Sequence, residues 1–188
     1  CALPIWAHLY MLGPDGAVRR QLTSGAWMVE EVVHVDEARG YIYFMARGRE
    51  ADRFLYEAYM YRIGRDGSGL RLMTPEDGHH EIQWAPDGSV FVDRWSKIDV
   101  PSRIALKSGL DGSTMLPLET ANVDRLVEEI AFEPAEVFTV KARDGLTDLY
   151  GLIYFPPDLD PDAKYPIISH IYPGPQVGSV GRAWNYRS

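Results

Sequence analysis

Short stretches of alternating hydrophobic and polar residues, separated by glycine-containing turns, fill the chain from residue 7 to residue 118. This period of two places one face of a β-strand in a core. Several stretches are joined by Asp-Gly, which tolerates the positive φ of a tight turn and is a strong signal for a β-hairpin. The pattern therefore predicts antiparallel strands at residues 7–12, 18–22, 29–35, 41–46, 59–63, 70–73, 81–84, 90–95, 103–106 and 115–118.

The hairpin signal repeats at long intervals. Asp15, Asp66 and Asp111, each followed by Gly, lie 51 and 45 residues apart. A period of about 40–50 residues with four strands per unit is typical of the blades of a β-propeller. An antiparallel sandwich of meanders is the alternative. The periodicity favours the propeller, because a sandwich does not require an internal repeat.

The pattern changes after Leu118. Apolar residues recur at helical spacing between 122 and 130, with Asn122 or Asp124 as the candidate N-cap. Further strands are predicted at 137–140, 149–155 and 166–171, and the last is an apolar run of the kind that is buried on both faces of a sheet. With a boundary near Glu133-Pro134, the predicted parts are propeller blades at 1–120, a linker helix and hinge at 121–135, and the start of a second domain at 136–188.

The composition is that of a globular protein, with 46% hydrophobic and 24% charged residues. The net charge of −8 disfavours a nucleic-acid-binding protein, because the phosphate backbone requires a basic surface. A single cysteine, Cys1, excludes internal disulfides and Cys-rich zinc sites. No apolar run reaches the roughly 18 residues that a membrane-spanning helix needs. The sequence does not open with a positively charged region followed by an apolar one, so it assigns no compartment.

Most searches for catalytic motifs fail. A Gly-x-Ser-x-Gly motif does not occur, since Ser179 lies in Val-Gly-Ser-Val-Gly and is out of register. Metalloprotease, P-loop and dinucleotide-binding motifs are absent as well. Cys1 has no assignable histidine partner. Glu128 and Glu129 diverge by about 100° on the predicted helix, so we expect them on a solvated face and not as an acid/base pair.

Histidines give weak signals. Successive side chains of a strand point to opposite faces, so His79 and His80 could not easily share one metal ion, and we expect a pair in a loop. His170 lies in the apolar run and is expected to be a core or rim histidine, because no serine or cysteine partner can be named for it. We expect neither a metal nor another cofactor.

Tyr172 follows the apolar run directly and precedes a Pro-Gly-Pro turn. A loop at the carboxyl end of a sheet strand is where the active sites of α/β proteins lie. A tyrosine hydroxyl held there could donate a hydrogen bond to a developing oxyanion. From the residues alone, a purely structural role for Tyr172 also remains open.

Several short motifs occur in a fixed order near the C-terminal end: Asp144-Gly145, Leu149-Tyr150-Gly151, Pro156-Pro157, Lys164-Tyr165-Pro166 and Tyr172-Pro173-Gly174-Pro175. Others precede them: Gln21-Leu22-Thr23, Gly25, Trp27, Tyr43-Phe44, Ala85-Pro86-Asp87-Gly88, 92–96 and Pro101. The later set resembles the opening of the hydrolase domain of the prolyl oligopeptidase family of serine peptidases, nearest to its dipeptidyl peptidase IV branch. The earlier set resembles the last blades of that family's N-terminal propeller.

The resemblance implies a mostly β chain, in which the last blades of a β-propeller are followed by the first strands of an α/β-hydrolase domain. It also implies a peptidase that releases dipeptides from peptide N-termini by Ser-His-Asp acyl transfer, with Tyr172 in the oxyanion hole. Pro173 stands where the family commonly has Ala or Gly; it could stiffen the loop but does not touch the hydroxyl.

Other functional residues of the family have no match in this chain. The resemblance places the serine, aspartate and histidine of the triad after Ser188. The paired glutamates that bind a substrate's amino terminus belong to an earlier part of the propeller, so Glu30-Glu31 is not that pair. We therefore expect the chain to be inactive by itself, and the full-length protein, like its relatives, could form a homodimer.

A second hypothesis is a non-catalytic propeller module that binds peptides or proteins, with residues 136–188 as an appendage. A hydrolase-like entry strand and a Tyr-Pro-Gly-Pro turn have no purpose in such a module. The first hypothesis is therefore favoured, with peptides as substrates and no nucleic-acid partner.

Overall fold

The strand patterns form antiparallel sheets in the computed structural model, which describes residues 6–171 and 180–185. One helix in these ranges, α1 (Asp124–Ile130), separates the sheets near the start from a hairpin near the end. The strands are β1 (Tyr10–Leu12), β2 (Val18–Gln21), β3 (Met28–Asp36), β4 (Tyr41–Arg47), β5 (Ala58–Gly64), β6 (Arg71–Leu72), β7 (His79–Trp84), β8 (Val90–Ser96), β9 (Arg103–Ser108), β10 (Thr114–Thr120), β11 (Glu136–Lys141) and β12 (Asp148–Ile153).

Two consecutive four-stranded meanders make up most of the fold. The first sheet has the order β3-β4-β5-β6 and the second the order β10-β9-β8-β7, with every neighbouring pair antiparallel. β1 and β2 pair with each other before them, and β11 pairs with β12 after them. Successive four-stranded meanders are the blades of a β-propeller. The predicted fold class, a mostly β chain that contains propeller blades, is confirmed.

The sequence repeat marks equivalent turns of successive units. Asp15, Asp66 and Asp111 lie in the hairpins β1–β2, β5–β6 and β9–β10. In the second of these turns, the Asp66 carboxylate accepts hydrogen bonds from the backbone N–H and the hydroxyl of Ser68 at 2.9 and 2.7 Å. Asp111 does the same with Ser113, and these bonds lower the pKa of Asp111 to about 2. The repeat is therefore a repeat of Asx turns, whose side chain closes the chain reversal.

Replacing Gly112 by Ala should destabilise the protein more than the same change at Gly16. Both glycines have positive φ, +76° and +75°, which costs an L-residue about 1–2 kcal/mol. A Cβ on Gly112 would lie 2.1 Å from the carbonyl oxygen of Met73, whereas nothing lies within 4 Å at Gly16. We expect the thermal midpoint to fall further for Gly112→Ala than for Gly16→Ala. Equal falls in the thermal midpoint would contradict the close approach of Gly112 to the backbone of Met73.

The core consists of two clusters of buried side chains. In one, the rings of Trp27, Phe44 and Tyr61 pack together, with centroids 6.3 Å apart for Trp27–Phe44 and 5.8 Å for Phe44–Tyr61. In the other, Tyr43 of the first blade and Phe91 of the second join a cluster that also includes three methionines. The Tyr43 hydroxyl donates to the carbonyl of Gly109 at 2.8 Å. Aromatic packing and this bond thus attach one blade to the next.

The linker differs from expectation in its cap. The helix begins at Asp124, and its N-cap is Val123, with no side-chain hydrogen bond to the helix. Asn122, one of the two predicted caps, instead accepts the N–H of Asp124 at 2.8 Å. Glu128 and Glu129 are exposed, as expected, and Glu129 pairs with Arg125 at 2.7 Å.

No helix in the described part of the chain has the length and apolar character that a membrane span requires.

The predicted buried strand at 166–171 is wrong. These residues form no strand, and Ile168 is 94% exposed. An apolar extended segment becomes a buried strand only when a neighbouring strand accepts and donates its backbone hydrogen bonds, and none lies beside it among residues 6–171 and 180–185. For the same reason His170 is exposed and is not the core or rim histidine that the pattern predicted.

Candidate functional site

One end of the two blades gathers the parts of the chain that follow them. We call it the linker end and define it by the start of β3, the β4–β5 connection, the start of β7 and the β8–β9 connection. The ring of Tyr150, in β12, packs edge-on against Phe54 and Tyr56 of the β4–β5 connection, with centroids 6.0 and 5.8 Å away. Residues 182–184 also reach this end. The linker end is therefore where the blades meet the later segment.

A cleft of about 640 Å³ opens at the linker end, between the two blade connections and the linker. The charged residues that line the cleft are mostly acidic, and Lys97 is the basic residue among them. Apolar residues form the remaining wall. The lining residues are Phe54, Glu57, Lys97, Ile98, Asp99, Glu133, Pro134, Ala135, Glu136 and Val137.

Glu57 is the buried acid of this cleft, with 2% of its surface exposed. The Tyr59 hydroxyl donates to its Oε2 at 2.8 Å. Burial raises the pKa of the Glu57 carboxyl, and the nearby charge of Asp77 raises it further. Burial likewise raises the pKa of Tyr59, so its hydroxyl keeps its proton and remains a donor. The pair is a hydroxyl donor held against a carboxyl group whose pKa burial raises.

The segment between the blades is held from both sides. From the first blade, the Arg53 guanidinium donates to the carbonyls of Pro75 and Glu76 at 2.7 and 3.0 Å. From the second, Lys97 pairs with Asp77 at 2.8 Å, and this hydrogen bond lowers the pKa of Asp77 and raises that of Lys97. These contacts fix the turn that connects β6 to β7.

Four charged or titratable side chains meet beneath this turn. Asp93 Oδ1 lies 2.8 Å from His80 Nδ1, and Asp93 Oδ2 lies 2.9 Å from Lys107 Nζ. Lys107 also pairs with Glu76, and His80 Nε2 lies 2.9 Å from the Glu76 carbonyl. The side chains of His80, Asp93 and Lys107 are fully buried. We call these four residues the buried charge cluster.

The buried charge cluster contains a donor set that suits a cation. Potential ligand atoms of Glu76, His80 and Asp93 lie within 4.8 Å of one another. The Lys107 ammonium contacts both carboxylates. The Lys107 side chain therefore supplies the positive charge between these groups. Lys107 lies two strands away from His80 in the sheet, so the sequence around His79-His80 did not reveal the cluster.

The prediction that His79 and His80 form a loop pair is wrong. Both lie in β7 and are buried, with side chains on opposite faces, as the period of two requires. His79 Nδ1 accepts the backbone N–H of Ala58 at 3.1 Å. Burial, together with the charge of Arg182, lowers the pKa of His79 to about 4. His79 is therefore a neutral acceptor that joins the second blade to the first.

Replacing His79 by Asn should flatten the loss of stability in acid. The folded-state pKa of His79, about 4, lies below the ordinary histidine value of 6.5, so the unfolded chain binds more protons between these values. The His79 contribution is therefore complete above pH 6.5 and is lost as the pH falls towards 4. Asparagine keeps an acceptor for Ala58 but does not titrate. Thermal midpoints measured from pH 7.5 to 4.5 should fall less steeply for the variant; parallel profiles would contradict this.

The sequence-predicted catalytic residue, Tyr172, lies outside the described residues, as do Ser179 and Cys1. Glu30 and Glu31 lie in β3, a blade strand, where the sequence placed them. Sequence reasoning missed Glu57 and the buried charge cluster. The sequence did contain a signal for the buried charge cluster. Side chains alternate between the two faces of a strand, so in β8 Asp93 lies on the same face as the buried Phe91. In β9 Lys107 lies on the same face as the buried Ala105.

Comparisons with known proteins agree with this architecture. Residues 5–102 match the family model described as the dipeptidyl peptidase IV N-terminal region. The chain is 28% identical over 188 residues to the dipeptidyl peptidase 4 of Trichophyton rubrum, covering 96% of this chain and 23% of that protein. It is 30% identical over 184 residues to a protein named "Probable dipeptidyl-aminopeptidase B" from Emericella nidulans, covering 95% of this chain and 20% of that protein.

A solved structure gives the same fold. The crystal structure of Porphyromonas gingivalis dipeptidyl peptidase 4 superposes with a TM-score of 0.77 at 22% identity, over 96% of this chain and 25% of that one. This chain thus spans about a fifth to a quarter of the length of the proteins it matches. The family model covers more than half of the 188 residues and includes the first blade and much of the second. The chain belongs to the dipeptidyl peptidase IV N-terminal region family.

Proposed function

We propose that this chain is the middle part of a serine peptidase that releases dipeptides from the amino termini of peptides. The observation that carries the proposal is the likeness to dipeptidyl peptidases over both the blades and the later segment, at 95–96% coverage of this chain. The contact between Tyr150 and the linker end supports it, because it brings the hydrolase-like segment against the blades. In this proposal residues 1–120 are propeller blades, 121–135 the hinge and 136–188 the entry to the hydrolase domain.

The reaction proposed is acyl transfer. A serine attacks the scissile carbonyl, a histidine moves the proton from serine to the leaving amine, and an aspartate orients the histidine. These three residues belong to the full-length protein and are not assigned in this chain. The Tyr172 hydroxyl donates a hydrogen bond to the oxyanion of the tetrahedral intermediate, where charge develops. The chain by itself has no assigned nucleophile and should be inactive.

The test uses the full-length protein and two chromogenic substrates. A dipeptide anilide with a free amino terminus should be hydrolysed. Its N-acetylated form should not be, because a dipeptidyl peptidase binds the free amino terminus of its substrate. A serine-directed phosphonate should label the full-length protein and leave residues 1–188 unlabelled. Hydrolysis of neither substrate would refute the peptidase proposal and favour a binding module. Equal hydrolysis of both would refute the dipeptide-releasing activity and indicate an endopeptidase.

A further inference from the structure

Residues 182–184 make three contacts, two with the blades at the linker end and one with the linker. Arg182 Nη1 lies 2.8 Å from Glu30 Oε1, in β3 of the first blade. The backbone N–H of Trp184 donates to the Ser96 hydroxyl, at the end of β8, at 3.1 Å. The indole of Trp184 also packs against Phe132 of the linker, with ring centroids 5.5 Å apart. One short segment thus touches both blades and the linker.

The blade side of this contact is partly shielded from water. The Glu30 side chain is 22% exposed, and its Oε1 also lies 3.4 Å from Arg47 Nη1. Ser96 is 5% exposed. A hydrogen bond to a buried hydroxyl cannot be replaced by bulk water without a cost, so the Trp184–Ser96 bond is the better shielded contact. The Arg182–Glu30 pair is more open to water, with the Arg182 side chain 36% exposed.

A small cavity of about 70 Å³ lies beneath the segment, with Ala183 and Trp184 forming part of its wall. The remaining lining is mostly polar and comes from the second blade: His79, Glu81, Arg94, Ser96 and Ser102. The segment therefore covers polar groups at the start of β7 and the end of β8. Removing it would expose these groups to water and change the surroundings of His79, whose pKa Arg182 helps to lower.

We infer that Glu30 and Ser96 are positioning residues, which hold residues 180–185 against the blades and so fix where the hydrolase half lies relative to the propeller. In its bearing on catalysis the inference rests on the proposed peptidase function. The segment begins eight residues after Tyr172 in the sequence. Displacing a reacting group by about 1 Å can cost a factor of about 10² in rate, so a contact far from the chemistry can govern turnover. Glu30 and Ser96 act through this position and touch no substrate.

The ion pair is tested by a double-mutant cycle in the full-length protein, with Glu30→Gln, Arg182→Gln and the two combined. Arg182→Gln leaves the Arg47–Glu30 pair in place and isolates the contact in question. Glu31→Gln is the matched control, since it changes the neighbouring exposed glutamate of the same strand. Two quantities are measured: amide hydrogen exchange of residues 180–185, and kcat and KM for a dipeptide anilide.

We expect both single variants to speed exchange in residues 180–185 and to lower kcat by about three- to tenfold, with KM little changed, which is the scale of one coupled pair. Glu30→Gln also loses the pair with Arg47, so the double variant should equal Glu30→Gln, because Arg182→Gln removes nothing further once the glutamate charge is gone. Glu31→Gln should behave as wild type. Ser96→Ala tests the second contact independently and should speed exchange of the Trp184 amide.

Wild-type exchange and kcat in Arg182→Gln, or additive effects in the double variant, would overturn the inference. Loss of stability without faster exchange in 180–185 and with unchanged kcat would assign the pair a merely structural role and overturn it as well. Should the full-length protein hydrolyse no peptide, the proposed function fails. The exchange of residues 180–185 still decides whether Glu30 and Ser96 hold the segment.

Discussion

Replacing Tyr172 by Phe in the full-length protein should lower kcat by about 10²-fold or more, with KM little changed. The substitution removes one hydroxyl and keeps the ring, so packing at the position is preserved. In the proposed mechanism that hydroxyl meets negative charge that exists only in the transition state. An interaction of this kind contributes to turnover and not to ground-state binding, so kcat and kcat/KM should fall together.

The matched control for this prediction is Tyr165→Phe. Tyr165 lies in the same motif-rich segment, is 44% exposed, and its hydroxyl accepts the N–H of Asp160 at 2.9 Å. Its loss should leave kcat within about twofold of wild type, because surface substitutions away from special features have small effects. Steady-state kinetics with a dipeptide anilide that has a free amino terminus measure kcat and KM for both variants. A Tyr172→Phe enzyme with wild-type kcat would remove Tyr172 from the mechanism.

The hairpins were predictable from the sequence because their determinants are local. Asp66-Gly67-Ser68 contains within three residues the carboxylate acceptor, the positive-φ position and the donor of the turn. Strand β4, predicted at 41–46, is found at Tyr41–Arg47. The recurrence of such turns at blade-length intervals was enough to predict propeller blades, since each unit repeats the same connection.

The errors arose where the determinants are distant in sequence. Burial of His80 depends on Asp93 in the next strand and on Lys107 in the strand after it. The apolar run at 166–171 has the pattern of a buried strand, but pattern cannot state which strand would pair with it. Local periodicity specifies which face of an element is apolar and does not specify its partner. The candidate catalytic residue followed the same rule: the neighbourhood of Tyr172 left a structural role open, and its expected place in the oxyanion hole came from a resemblance.

Asp93 and Lys107 illustrate a signal that a closer sequence analysis could use. Each lies on the same face of its strand as a buried apolar residue, Phe91 in one case and Ala105 in the other. Adjacent strands place Phe91 opposite Lys107 and Asp93 opposite Ala105. Opposite charges therefore lie diagonally on the inner face of one sheet, within reach of long side chains. Two lone charges of opposite sign on the inner faces of neighbouring strands predict a buried pair.

Replacing Lys107 by Met should destabilise the second blade by about 3–5 kcal/mol, the cost of leaving a buried charge without its partner. Methionine has a similar length and fills the space, so the expected loss comes from charge and not from a cavity. Asp93 and Glu76 would then face each other without the ammonium that lies between them. The thermal midpoint of the full-length protein, and hydrogen exchange in β8 and β9, measure the effect.

Lys97→Met is the control, because Lys97 is also paired with an aspartate but its partner Asp77 is 53% exposed. Such a pair contributes about 0–1 kcal/mol. The combination of Lys107→Met with Asp93→Asn separates charge from packing: asparagine removes the uncompensated charge, so the double variant should be more stable than Lys107→Met alone. A Lys107→Met protein with a wild-type midpoint would show that the ammonium is dispensable. A double variant no better than the single one would show that the loss in Lys107→Met comes from packing, and the charge argument would fall.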